Sequence, residues 1–176
     1  DSAMGHGDVS VLDGGFNAWK GVGGPLEDLP PVVAADRHFT ARARADLVRS
    51  RAQMEEIVAS GSAQIVDARS AERFRGEAAE PRPGVRSGRI PGALNLPYKQ
   101  LLGPGGTLRP AEELHQVFAT AGVDLRRPIV NTCGSGVSAA VLALAQAALG
   151  QDAAAVYDGS WAEWGAEASG LPVERG

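Results

Sequence analysis

Cys133 is the only cysteine in a chain of 176 residues, and Gly134-Ser135-Gly136-Val137-Ser138 follow it directly. A cysteine attacks as its thiolate, and an ordinary thiol with a pKa of about 8.5 is mostly protonated at neutral pH. A loop of small residues can turn successive backbone N–H groups toward one point and stabilise an anion there. Glycine permits the backbone angles this requires. Residues 128–131 before the cysteine read as a buried strand, and residues 138–149 after it as a helix. Cys133 then stands where a strand passes into a helix N-terminus, whose dipole also favours a thiolate. Ser135 and Ser138 add hydroxyls that can reach the sulfur or a ligand. The competing reading is a small buried hydrophobe, a common use of a free cysteine. The Gly-Ser-Gly flank and the helix start favour the nucleophile.

The elements needed to position such a loop are legible in outline. Ser50 and Gln53 have capping-box spacing, so a helix is expected over residues 51–59, ending at Gly61. Residues 64–67 read as a strand, and Ser70 can cap a short helix over 71–75. Residues 77–88 are a loop, because Pro81, Pro83 and Gly84 exclude a helix. A second strand is expected at 93–96, a short helix at 97–102, and a helix at 111–120 with Pro110 in its first position. The strand at 128–131 is the third, and 154–157 the fourth. Alternating strands and helices imply an α/β fold with a mostly parallel central sheet flanked by helices. Ligands of such sheets sit where strand ends meet helix starts, which is the position of Cys133.

Composition sets outer limits. Hydrophobic residues make up 44% and charged residues 22%, as in ordinary globular proteins. A net charge of −4 argues against a nucleic-acid surface, which is normally basic. No apolar run approaches the roughly 20 residues that span a bilayer. No signal peptide is visible, and a lone cysteine points to a cytoplasmic setting by default. His6, His38 and His115 are scattered without metal-ligand spacing, so no metal site is expected.

An internal repeat orders the chain. Val11-Leu12-Asp13-Gly14-Gly15-Phe16-Asn17-Ala18-Trp19 matches Val156-Tyr157-Asp158-Gly159-Ser160-Trp161-Ala162-Glu163-Trp164 at a constant offset. Each copy reads as a strand, an Asp-Gly turn and a helical turn bearing tryptophan. The second copy closes a domain, so the first should close one too, yet too few residues precede it to bury a core. The expectation is therefore a remnant of a first domain at 1–20, a Gly- and Pro-rich linker at 21–44 and a full domain at 45–176.

The stretch Cys133-Gly134-Ser135-Gly136-Val137-Ser138-Ala139 resembles the active-site loop of the rhodanese superfamily. It is closer to the Cys-Gly-Ser-Gly-Val-Thr form of 3-mercaptopyruvate sulfurtransferases than to the thiosulfate form, which carries basic residues after the cysteine. Val66-Asp67-Ala68-Arg69, Arg73-Phe74-Arg75-Gly76, Glu80-Pro81-Arg82-Pro83-Gly84, Gly88-Arg89-Ile90-Pro91-Gly92 and Tyr157-Asp158-Gly159-Ser160-Trp161 are similar to segments of the same family. Arg89 stands where the family commonly has His, and Ser138 where it has Thr. The resemblance implies a rhodanese-like domain and a sulfurtransferase without metal or organic cofactor. Cys133 and Ser135 would be catalytic. Arg73 and Arg82 would hold a donor carboxylate, with Gly134, Gly136, Val137 and Ser138 completing the binding loop and Arg69 supporting it. Arginine suits this task because its planar fork binds carboxylates bidentately, and Arg73 and Arg82 near the sulfur would lower its pKa.

In the mechanism that the resemblance implies, Cys133 takes sulfur from a small-molecule donor, becomes a persulfide, and passes the sulfur to a thiol, thioredoxin or cyanide. In the family the site lies between two domains. A Ser–His–Asp relay suggested in relatives would draw its His and Asp from the first domain, outside this chain. Three alternatives stand beside it. A thiosulfate enzyme is disfavoured by the absence of a basic residue after Cys133. A phosphatase of the same fold would need Arg at position 139, which is Ala. A non-catalytic sulfur-relay or protein-binding domain stays open, because the first domain is missing.

Overall fold

The computed structural model describes residues 2–30, 38–151 and 154–176. Part of the expected linker, residues 31–37, lies outside the described residues. The regular elements are α1 (Gly15–Gly21), β1 (Val48–Arg49), α2 (Arg51–Ser60), β2 (Gln64–Asp67), α3 (Ala71–Arg75), β3 (Leu94–Asn95), α4 (Ala111–Thr120), β4 (Ile129–Thr132), α5 (Ala139–Ala148), β5 (Ala155–Tyr157) and α6 (Ser160–Trp164). Ser50 opens α2 with both halves of the expected capping box. Its hydroxyl accepts from the Gln53 N–H at 3.4 Å, and the Gln53 side chain accepts from the Ser50 N–H at 2.9 Å. Gly61 closes the helix in the left-handed conformation.

The strands form one sheet in the order β1-β5-β4-β2-β3, and every pair is parallel. The sequence suggested four strands. The fifth, β1, is a two-residue edge strand. Pro110 caps α4 rather than occupying its first turn, a one-residue difference of the kind helix ends routinely show.

Both faces of the sheet are covered, so β2 and β4 are buried throughout and read as continuous runs instead of alternating ones. The alternation exists in space. Ile65 and Val130 are register partners and pack with Met54, Ile57, Trp161 and Trp164 on one face. Val66 and Ile129 point the other way, toward Leu114, Phe118, Leu142 and Ala145. Buried Asn131 exchanges two hydrogen bonds with Gln146 of α5, at 2.9 and 3.1 Å. This pairing satisfies two amides that would otherwise be costly to bury.

The connection after β2 leads outward to β3, while the chain after β4 turns the opposite way, to β5. Neighbouring strands whose continuations diverge leave a crevice at their C-terminal ends. Cys133 follows β4 there, and Arg69 and Arg73 follow β2.

The two copies of the repeat differ in their surroundings. Tyr157, Trp161 and Trp164 are buried beneath the sheet, whereas their counterparts Leu12, Phe16 and Trp19 are exposed. The expected helical turn of the first copy is present as α1, but the expected strand before it is not. A strand needs a neighbour for its N–H and C=O groups, and residues 9–12 have no ladder partner among the described residues. Asp13 instead accepts from the Leu108 N–H at 2.8 Å. This sets the unit against the short 3-10 turn Pro104–Gly106. No described helix is long and apolar enough to cross a membrane.

Candidate active site

The loop after β4 is fixed from behind by α6. The Cys133 N–H donates to the Ser160 hydroxyl at 3.2 Å, and that hydroxyl donates to the Tyr157 carbonyl at 2.8 Å. The carbonyls of Cys133 and Gly134 accept from the N–H groups of Trp161 and Ala162, at 2.9 and 3.0 Å. With these groups engaged at the back, the next amides turn to the front. The Ser135 N–H donates to Cys133 Sγ at 3.4 Å. Ser160 holds this clamp at φ 49°, a left-handed conformation that non-glycine residues seldom adopt.

Burial pushes the Cys133 thiol up, but four hydrogen bonds outweigh it. The Ser138 hydroxyl and the N–H groups of Ser135, Ala139 and Ser138 together hold its pKa below the ordinary cysteine value. The loop thus acts as the expected anion nest, at the start of α5. The hydroxyl that supports the thiolate is that of Ser138, and Ser135 contributes through its backbone. The leading causes of the lowered pKa are these donors and not the arginines, although a Cys133 thiolate raises the pKa of Arg73 in return.

Cys133 lines a cleft of about 420 Å³ together with Gly134, Ser135, Val137 and Ser138 of its own loop and with Arg73, Glu80 and Arg82 opposite. Val85, Tyr98 and Val141 give it an apolar wall. Val137 is 77% exposed at the loop tip. A Cβ on Gly134 would lie 2.9 Å from Nη2 of Arg73, so the missing side chain lets the guanidinium approach the loop. Gly136 is the exception among the expected binding residues. It is buried at φ 83°, where a Cβ would sit 3.0 Å from the Asp158 carbonyl oxygen, and it does not line the cleft. Its part is to turn the loop.

The arginines divide their work. Arg73 presents a part-exposed guanidinium whose Nε and Nη2 are gripped by Glu80 at 3.1 and 2.6 Å. Arg82 stands exposed on the 77–88 loop at the cleft mouth. Arg69 is buried away from the cleft. It binds Asp67 at 2.7 Å, Glu80 at 2.9 Å and the Gly88 carbonyl at 2.8 Å, and lies 4.5 Å over the Trp161 ring. It supports the site by bracing Glu80. Arg89 lies over the Phe74 ring and pairs with Glu174, outside the cleft lining, so its departure from the familiar His falls on structure.

Residues 50–167 match the family model of the rhodanese-like domain. The chain belongs to the rhodanese-like family. The chain is 43% identical to the 3-mercaptopyruvate sulfurtransferase of Escherichia coli K12 over 94% of its own length and 58% of the relative's. It is 42% identical to the thiosulfate sulfurtransferase of Gallus gallus, covering 92% of this chain and 55% of that one. The crystal structure of SseA from Escherichia coli, described for the rhodanese fold and mechanism of the 3-mercaptopyruvate enzymes, superposes with a TM-score of 0.77. The identity there is 37%, over 91% of this chain and 59% of that one. A persulfide form of EanB aligns with a TM-score of 0.87 at 24% identity, over 99% of this chain and 43% of that one, a likeness of fold. The chain thus spans a little over half the length of these sulfurtransferases.

Three residues of the rhodanese-like site had no role in the sequence reading. Glu80 sits within a quoted motif, but only the structure shows it joining two arginines. Asp67 looked like the end of a strand. Ser160 looked like part of a packing motif, although its place one residue before Trp161 and its hydroxyl were visible.

Proposed function

We propose that this rhodanese-like domain is the sulfur-carrying part of a sulfurtransferase whose donor is 3-mercaptopyruvate. The observation that carries the reading is the Cys133 thiol, held below its ordinary pKa by the loop donors and facing two arginines across one cleft. The thiolate attacks the donor sulfur. A new S–S bond forms, the C–S bond of the donor breaks, and its electron pair passes to carbon, which takes up a proton to leave as pyruvate. The N–H groups around the sulfur stabilise the charge carried by the resulting persulfide. Arg73 and Arg82 would bind the donor carboxylate, with Gly134, Val137 and Ser138 shaping the cleft. An acceptor thiol, thioredoxin or cyanide then attacks the outer sulfur and releases the Cys133 thiolate, which completes a ping-pong cycle.

Thiosulfate is the second reading, supported by the 42% identity to a thiosulfate sulfurtransferase. The loop after Cys133 carries no basic residue, which favours the carboxylate donor. Our reading of residues 1–20 is the end of a first domain of the same kind, supported by the repeat and by the exposed apolar side chains of its first copy. That domain would supply the rest of the cleft wall. We place the reaction in the cytoplasm on the strength of the lone cysteine.

The test is to follow loading of Cys133 by each donor in rapid-mixing experiments. Faster loading from 3-mercaptopyruvate, with one pyruvate released per sulfur bound, is expected. A strong preference for thiosulfate would overturn the choice of donor.

A further inference from the structure

Glu80 is a buried carboxylate, 4% exposed, at the edge of the cleft. Both of its oxygens are committed. Oε1 accepts from Nη1 of Arg69 at 2.9 Å and Nε of Arg73 at 3.1 Å, and Oε2 accepts from Nη2 of Arg73 at 2.6 Å. Behind them Asp67 neutralises Arg69. The line Asp67–Arg69–Glu80–Arg73 therefore alternates in sign and sums to zero. Arg73 brings directed N–H groups to the cleft but little net charge. Arg82, exposed on its loop and without an ion pair among the described residues, carries the remaining positive charge of the lining.

A doubly charged anion gains more from net positive charge than a singly charged one at the same distance. Directed hydrogen bonds, in contrast, serve any oxyanion of suitable shape. Fixing Arg73 by a carboxylate keeps the second benefit and suppresses the first. We propose that Glu80 is a specificity-determining positioning residue: by neutralising Arg73 while holding its fork in place, it fits the cleft to a singly charged carboxylate donor and disfavours a doubly charged one. The proposal rests on the sulfur-donor reading of the cleft and adds the residue that discriminates between its two candidate donors.

The full chain is compared with Glu80→Gln and Glu80→Asp, using pyruvate as the singly charged probe and sulfate as the doubly charged one. Each dissociation constant is read from protection of Cys133 against iodoacetamide, an uncharged reagent whose only thiol target here is Cys133. Glu80→Gln should shift the ratio of the two constants toward sulfate about ten-fold. Glu80→Asp keeps the charge and should retain the wild-type ratio, even where both anions bind more weakly. A residue that only braced the fold would weaken both probes equally in Glu80→Gln, and that result overturns the proposal, as does failure of both anions to protect. If Glu80→Gln does not fold, Arg82→Gln supplies the opposite arm. It should move the ratio about ten-fold away from sulfate, and an unchanged ratio overturns the proposal. Failure of the donor reading would show separately, as no persulfide on Cys133 with either donor whichever anions bind.

Discussion

The hydroxyl of Ser160 accepts a hydrogen bond from the Cys133 N–H at 3.2 Å and donates one to the Tyr157 carbonyl at 2.8 Å. The nucleophile's backbone is thus anchored by a residue 27 positions away, in a motif whose tryptophans otherwise serve packing. Ser160→Ala leaves a buried N–H and a buried carbonyl without that partner. It should destabilise the fold by about 1–3 kcal/mol and slow alkylation of Cys133 at neutral pH. Chemical denaturation and iodoacetamide kinetics measure the two effects. Unchanged alkylation would mean that the loop keeps its form without the clamp.

Ser138 gives the Cys133 thiolate a hydroxyl hydrogen bond. Ser138→Ala should raise the apparent pKa in the pH profile of alkylation, and Ser138→Thr should restore it. The same lowering links stability to pH. A thiol that ionises more easily folded than unfolded adds stability in full above its unfolded pKa, about 8.5, and loses it as pH falls through the folded value. The stability difference between the wild type and Cys133→Ser should therefore grow between neutral pH and pH ~9. A constant difference across that window would show that the folded chain does not favour the thiolate.

Arg69 lies buried between Asp67 and Glu80. Arg69→Met strands two carboxylates in the interior, one of them still paired with Arg73. Breaking a buried pair in this way should cost about 3–5 kcal/mol. Arg69→Lys should recover only part of it, since an ammonium cannot reproduce the planar fork. Equilibrium unfolding checks both. A loss below about 1 kcal/mol for Arg69→Met, the scale of an exposed pair, would contradict the bracing role.

How much of this could be read from the chain depended on how local each signal was. The α2 capping box, the Gly136 turn and the strand–loop–helix around Cys133 are encoded within a few neighbouring residues, and the structure contains them. The edge strand β1 escaped notice because only Leu47 and Val48 are apolar between Asp46 and Arg49, whereas the equally short β3 lies within the mostly apolar stretch 93–96. The strand expected before the Asp13-Gly14 turn failed for the opposite reason. Its residues suit a strand, but strand pairing depends on partners that local sequence does not reveal. At the site, Cys133 was singled out by its own loop, and Arg73 and Arg82 by the resemblance of their motifs; the fold brings the three to one cleft. Glu80, Asp67 and Ser160 act through others. Their roles became visible only once the fold brought Arg69 to Glu80, 11 residues on, and α6 to the back of the cysteine loop.

Cys133 is proposed to accept a sulfur atom from its donor. Intact-protein mass spectrometry after brief exposure to 3-mercaptopyruvate, with no acceptor present, tests it most directly. The wild-type chain should gain the mass of one sulfur, mapped to Cys133 and removed by added thiol, and Cys133→Ser should gain none. A wild-type chain that stays unmodified, or a variant that takes up sulfur equally well, would mean that Cys133 does not carry the sulfur.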